Sequence, residues 1–110
     1  MGLPAVREVV IVPFPFSDSS QSKIRPAVCI ANAQRGEWIL CQITSTGQGD
    51  PSAISLGSND FERGGLQHHS FVRPSKLFTA HERRFIRSIG RLTDTALTRI
   101  IDSVVAILRS

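Results

Sequence analysis

The sequence predicts a mainly β domain, five or six short strands curled into a small barrel or sandwich with one α-helix at the C-terminal end. Three observations carry this expectation. Apolar runs of strand length recur between Val6 and Leu92, each closed by turn residues. One stretch near the end has helical periodicity. The length, 110 residues, fits a single domain and leaves no room for a second independent core, so residues 1–110 read as one unit. Hydrophobic residues at 41% and charged residues at 20% are ordinary for a globular protein, which excludes a disordered tail, a collagen-like rod and a disulfide knot.

In chain order, Val6–Phe14 is a β-rich apolar run closed by Pro13 and Pro15, residues that a central ladder does not accept. Ser17–Ser22 is a small, polar loop leading into Lys23-Ile24-Arg25-Pro26. A proline disfavours helical backbone in the residue before it, so Arg25 is expected extended at the mouth of the next strand, Ala27–Ala31. Asn32–Glu37, with Gly36, reads as a hairpin turn, and Trp38–Ser45 as the third strand. Thr46–Ser52 is a loop, Ala53–Leu56 a short strand, and Asn59–Gly65 a turn ending in a Gly-Gly pair. Ser70–Arg73 and Arg84–Leu92 are further strands, separated by Thr79–Arg83 as one helical turn. Leu97, Ile100, Ile101, Val104, Val105 and Leu108 then follow the i, i+3, i+4, i+7, i+8, i+11 spacing of an amphipathic helix whose stripe reads as core. Thr93 can cap it, while Asp94 and Arg109 suit the positive and negative ends of its dipole.

The chain carries thirteen Lys and Arg against nine Asp and Glu, a net charge of +4, and eleven of the thirteen cations are arginines. From Arg63 to Arg91 there are seven cations and one acid, Glu82. That segment alone holds +6 and points to a polyanionic partner. About four phosphate contacts at about −0.7 each would give a salt slope near −3 on single strands. Cys29 and Cys41 sit inside apolar runs, without a CxxC or a histidine at ligand spacing, so they read as small core residues of a reducing, cytoplasmic chain with no metal site. No run reaches the roughly 20 apolar residues of a membrane span, and no secretory signal is expected.

Val9-Val10-Ile11-Val12-Pro13-Phe14-Pro15-Phe16 followed by Lys23-Ile24-Arg25-Pro26-Ala27-Val28 resembles the opening of the MazF/PemK-like toxins of type II toxin–antitoxin systems. Ile43-Thr44-Ser45, Gly64-Gly65-Leu66, Val72-Arg73-Pro74-Ser75-Lys76-Leu77-Phe78-Thr79 and Ile89-Gly90-Arg91-Leu92-Thr93-Asp94 agree with the same family in the same order. The resemblance implies an SH3-like β-barrel with a C-terminal helix, a homodimer, and cofactor-free cleavage of single-stranded RNA by 2′-hydroxyl attack. It also implies a cognate antitoxin whose acidic or amphipathic tail lies over the RNA groove. Carried over by motif, the essential arginine is Arg25, the essential hydroxyl Thr44, and Arg73 a further participant. Phe16, Ser17, Lys23, Ser45, Ser75 and Lys76 are the corresponding substrate-binding positions.

These residue types suit the chemistry. The RNA supplies its own nucleophile, so the protein must stabilise charge on the phosphorane oxygens and move protons at the 2′ and 5′ oxygens. An arginine fork can donate two hydrogen bonds to that phosphate, and a threonine hydroxyl one more. Three positions depart from the family pattern. Arg7-Glu8 keeps only the acid of the Gly-acid pair before the first strand; the loop before the Arg-Pro motif has no histidine; Ser75 stands where relatives often have aspartate. The general base is thus left open. His68-His69 is the other acid–base pair in the chain and reads as exposed loop. Two alternatives accompany the nuclease: a non-catalytic module of the same fold binding RNA or an acidic peptide, and a gyrase-directed poison resembling CcdB.

Overall fold

In the computed structural model, which describes residues 4–14, 23–47 and 49–110, every strand pairing is antiparallel. The strands are β1 (Glu8–Pro13), β2 (Ile24–Gln34), β3 (Glu37–Thr44), β4 (Ile54–Leu56), β5 (Phe61–Gly64), β6 (Ser70–His81) and β7 (Arg87–Leu92). They form one curled seven-stranded sheet, a half-barrel, in the order β4-β6-β3-β2-β1-β7-β5, and α1 (Asp94–Arg109) follows.

Period-two alternation feeds two cores, one on each face of the sheet. Val9, Val28, Cys41, Ile43, Leu56, Val72 and Leu92 meet Ala96, Ile100 and Val104 of α1. Val10, Val12, Ala27, Cys29, Leu40, Trp38, Phe78 and Phe85 pack on the opposite face, where Phe14 and Phe78 meet edge-on at 4.8 Å. Cys29 and Cys41 therefore point to different cores, and burial pushes both thiols up to about 12. The Thr93 hydroxyl accepts from the Ala96 amide at 3.1 Å, capping α1 as its sequence predicts. The helical stripe departs from expectation at its end. Val105 is 41% and Leu108 72% exposed, because the helix outruns the sheet and residues 105–110 all face outward. No helix among the described residues is long and apolar enough to cross a membrane.

Three strand limits differ from the sequence reading. β2 begins at Ile24 rather than Ala27, with Arg25 paired to Val12 and Pro26 to Ile11. β6 runs on to His81 instead of ending at Arg73, since pairing with β3 resumes at Leu77–Cys41 after Pro74, Ser75 and Lys76 bulge out of the ladder. The expected turn over Thr79–Arg83 accordingly shifts to a 3-10 turn, Glu82–Arg84, where the His81 ring accepts from the Arg83 amide. Phe61–Gly64, expected within a turn, is the edge strand β5.

The Gly64-Gly65 pair has a packing reason. Gly64 lies opposite Gly90 with φ +67°, and a Cβ there would sit 2.2 Å from the Ile89 carbonyl oxygen. Beside Gly65 there is open space. Gly64→Ala combines about 1–2 kcal/mol of left-handed strain with about 1–3 kcal/mol of overpacking. Its melting temperature should fall by roughly 10 °C or more, whereas Gly65→Ala should stay within about 3 °C of the parent. Calorimetry on the two variants checks this, and equal melting points would refute the close approach.

Candidate active site

The bond from the Phe14 amide to the Lys23 carbonyl, 2.8 Å, sets the phase of the β1–β2 ladder. Residues 23, 25 and 27 turn their backbone polar groups toward β1, and residues 24, 26 and 28 toward β3. Pro26 has no N–H, and the missing donor is therefore on the β3 side. Pairing between β2 and β3 ends at Ala27–Gln42. Beyond that point β2 stays with β1, while Ile43 and Thr44 stay with β6. The two strands part there and a cleft opens.

The cleft has a volume of about 500 Å³. Arg25 and Pro26 of β2, Thr44 with Ser45 at the end of β3, the 65–70 segment, and Arg87 and Ile89 of β7 line it. Continuing the Ala27–Gln42 register by two residues would set Arg25 opposite Thr44, and both side chains do share this one groove. Thr44 is buried, and its oxygen accepts the Thr46 amide at 3.2 Å. That bond orients the hydroxyl, which also lies 3.4 Å from the Thr46 hydroxyl; with Thr46 as the donor of that pair, the Thr44 proton points to the groove.

Charge is distributed selectively. Glu8, 3% exposed, accepts from Arg63 at 2.9 Å and Arg91 at 2.8 Å, and also from the Ser88 hydroxyl. Arg7 binds Glu62 at 2.8 Å, and Arg99 binds Asp60 at 2.6 Å. Arg73 donates to Asp50 at 2.6 Å. Arg63, Arg73 and Arg91, half the excess charge expected of the 63–91 segment, are thus matched by carboxylates from elsewhere in the chain. The Arg25 and Arg87 side chains, by contrast, make no hydrogen bond or ion pair with any described residue, and among the described residues no carboxylate lines their cleft.

The structure brings Arg25, Thr44 and Ser45 together. Arg73 is not among the lining residues; its guanidinium ties the 46–52 loop through Asp50. Ser75 and Lys76 belong to the β6 bulge, and Lys23 sits just before β2, all outside the lining. Phe16 and Ser17 lie outside the described residues. Two further residues line the cleft, Arg87 and His68. The sequence reading counted Arg87 only within a run of cations, and it singled out His68-His69 as an acid–base pair but read both as exposed loop. Nothing local to the Gly-Gly-Leu-Gln-His stretch states that its bend brings residue 68 beside β2.

The fold and site define a small β half-barrel with a cleft at a split in its sheet, cationic and without a carboxylate among the described residues. A model of the PemK-like, MazF-like toxins of type II toxin–antitoxin systems matches residues 5–108, and the chain belongs to this family. Among solved structures it is similar to MazF (Form-I) from Deinococcus radiodurans, with 18% identity, a TM-score of 0.76 and full coverage of both chains. It is also similar to the MazE–MazF complex (Form-II) from that organism, at 19% identity and TM-score 0.77, covering 99% of this chain and 98% of the other. An endoribonuclease in complex with its cognate antitoxin from a mycobacterial species aligns at 13% identity and TM-score 0.72, covering 99% and 96%. At these identities the likeness establishes the fold. No curated protein matches the chain in sequence.

The Asp50–Arg73 bond carries a pH signature. The Arg73 hydrogen bond, followed by the Ser52 hydroxyl, holds the Asp50 carboxyl below its ordinary value. Because the folded value is depressed, the contribution to stability is present above the unfolded carboxylate value, about 3.9, and is lost as pH falls through the folded one. A carbon-detected NMR titration should find the Asp50 midpoint below about 3.9, and Arg73→Gln should return it toward that value. A midpoint unmoved by Arg73→Gln would contradict the tie.

Proposed function

We propose that the cleft is the active site of a metal-independent endoribonuclease, the toxin of a toxin–antitoxin pair, cutting single-stranded RNA and leaving a 2′,3′-cyclic phosphate and a 5′-hydroxyl. The observation that carries this reading is that Arg25 and Arg87, free of carboxylate partners among the described residues, share a groove with the oriented Thr44 hydroxyl. Arg25 donates two hydrogen bonds to the scissile phosphate as negative charge grows on it. Thr44 donates a third and holds the phosphorus in line with the attacking 2′ oxygen. Arg87 adds charge from the facing strand, and Ser45 binds beside Thr44. Arg73 acts at one remove, fixing the loop that follows Thr44 through Asp50.

Support for the wider assembly comes from the similar structures of a MazE–MazF complex and of an endoribonuclease with its cognate antitoxin. In this reading the protein is a cytoplasmic homodimer, and an antitoxin silences it by laying an acidic segment into the same cationic cleft. Lys23, Ser75 and Lys76 then contact RNA, if at all, beyond the scissile phosphate, because they stand outside the cleft lining.

Purified protein incubated with long single-stranded RNA in EDTA should cut it. Removing one preorganised donor, by Arg25→Ala or Thr44→Ala, should lower kcat about 10²–10³-fold with the fold intact. Intact RNA with the folded wild type, or binding that Arg25→Ala leaves unchanged, would favour the non-catalytic module instead. Each cleft arginine should contribute about −0.7 to the salt slope on single strands, so Arg87→Gln should flatten it by about 0.7 on an uncleavable 2′-deoxy analogue. An unchanged slope would remove Arg87 from the RNA path.

A further inference from the structure

The cleft contains the charge this reaction needs. Among the described residues its lining has no carboxylate, and guanidinium is too basic to accept a proton near neutral pH. Of the described lining side chains, His68 is the one of suitable chemistry. The chain bends at Gln67 and His68 before β6 begins at Ser70. Ser70 and His68 line the cleft, whereas His69 is not in its lining; His69 hydrogen-bonds the Ser55 hydroxyl and meets the Phe71 ring edge-on at 5.3 Å. Ser70, 5% exposed, donates its hydroxyl to the His68 carbonyl at 2.9 Å and so fixes the backbone that presents the ring. The His68 imidazole has no partner among the described residues.

We propose that His68 is the general base of the cleft, a role that rests on the nuclease reading above. An imidazole nitrogen takes the proton of the 2′-hydroxyl, and the freed electron pair forms the bond from the 2′ oxygen to phosphorus. The bond from phosphorus to the 5′ oxygen breaks, its electron pair leaves with that oxygen, and the oxygen is protonated by solvent water. The imidazolium then returns its proton to solvent. Among the described residues, Arg25 from β2 and Arg87 from β7 are the other ionisable groups lining the cleft. The smaller hollow that His68 also lines, with Leu56, Ser58 and Phe61, adds His69 alone as an ionisable group among the described residues. Ser70 is a positioning residue.

The test uses the full chain on a single-stranded RNA in EDTA, following kcat/KM from pH 5 to 9. Wild type should lose rate toward the acid end of that range, where a protonated imidazole cannot accept the 2′ proton. His68→Gln should lose about 10²–10⁴-fold and show no such limb, with binding of the 2′-deoxy analogue retained. Added imidazole should restore His68→Ala in part, a response that mere misfolding would not give, and His69→Gln should stay within about twofold of wild type. Wild-type cleavage with an unchanged rate and pH profile in His68→Gln overturns the assignment and leaves the nuclease intact. A folded wild type that does not cut overturns both.

Discussion

A single missing hydrogen-bond donor organises this molecule. Pro26 meets β1 at a position where its lack of an N–H costs nothing, and faces β3 where a donor would be required. The sheet stays closed along β1–β2 and β3–β6 and splits between them. The split leaves Arg25, near the start of β2, and Thr44, at the end of β3, on two strands that no longer pair with each other there, facing one hollow of about 500 Å³. Both sit on strands held by neighbours on the far side, which is the rigidity a preorganised phosphate site needs.

The same economy governs charge. A buried carboxylate, Glu8, gathers Arg63 and Arg91 at the junction of β1, β5 and β7, and Asp50 occupies Arg73. These contacts tie three arginines of the 63–91 segment to carboxylates, and the two arginines that line the cleft, Arg25 and Arg87, have no acid beside them among the described residues. A count of cations along the chain therefore overstates the unpaired charge of that segment.

Much of this was legible before the structure. The alternation of Trp38–Ser45, the helical spacing from Leu97 and the proline after Arg25 each state a local geometry, and each is met. Arg25 and Thr44 were identifiable by their motifs, and their shared groove is a consequence of register. What stayed hidden was non-local. The merging of β6 across Pro74 depends on β3 offering a partner again at Cys41, which no window around Pro74 contains. Arg73 looked available because its acid lies twenty-three residues away. Val105 and Leu108 fit the apolar stripe, yet the sheet beneath them ends first.

The central claim is that one phosphate is held by Arg25 and Thr44 together where β2 and β3 part. A crystal structure of the protein with an RNA whose scissile 2′-hydroxyl is replaced by hydrogen tests it most directly. The account places that phosphate within hydrogen-bond reach of both the Arg25 guanidinium and the Thr44 hydroxyl, with His68 beside the 2′ carbon. A phosphate bound to only one of them, or RNA lying on another face of the half-barrel, would contradict it.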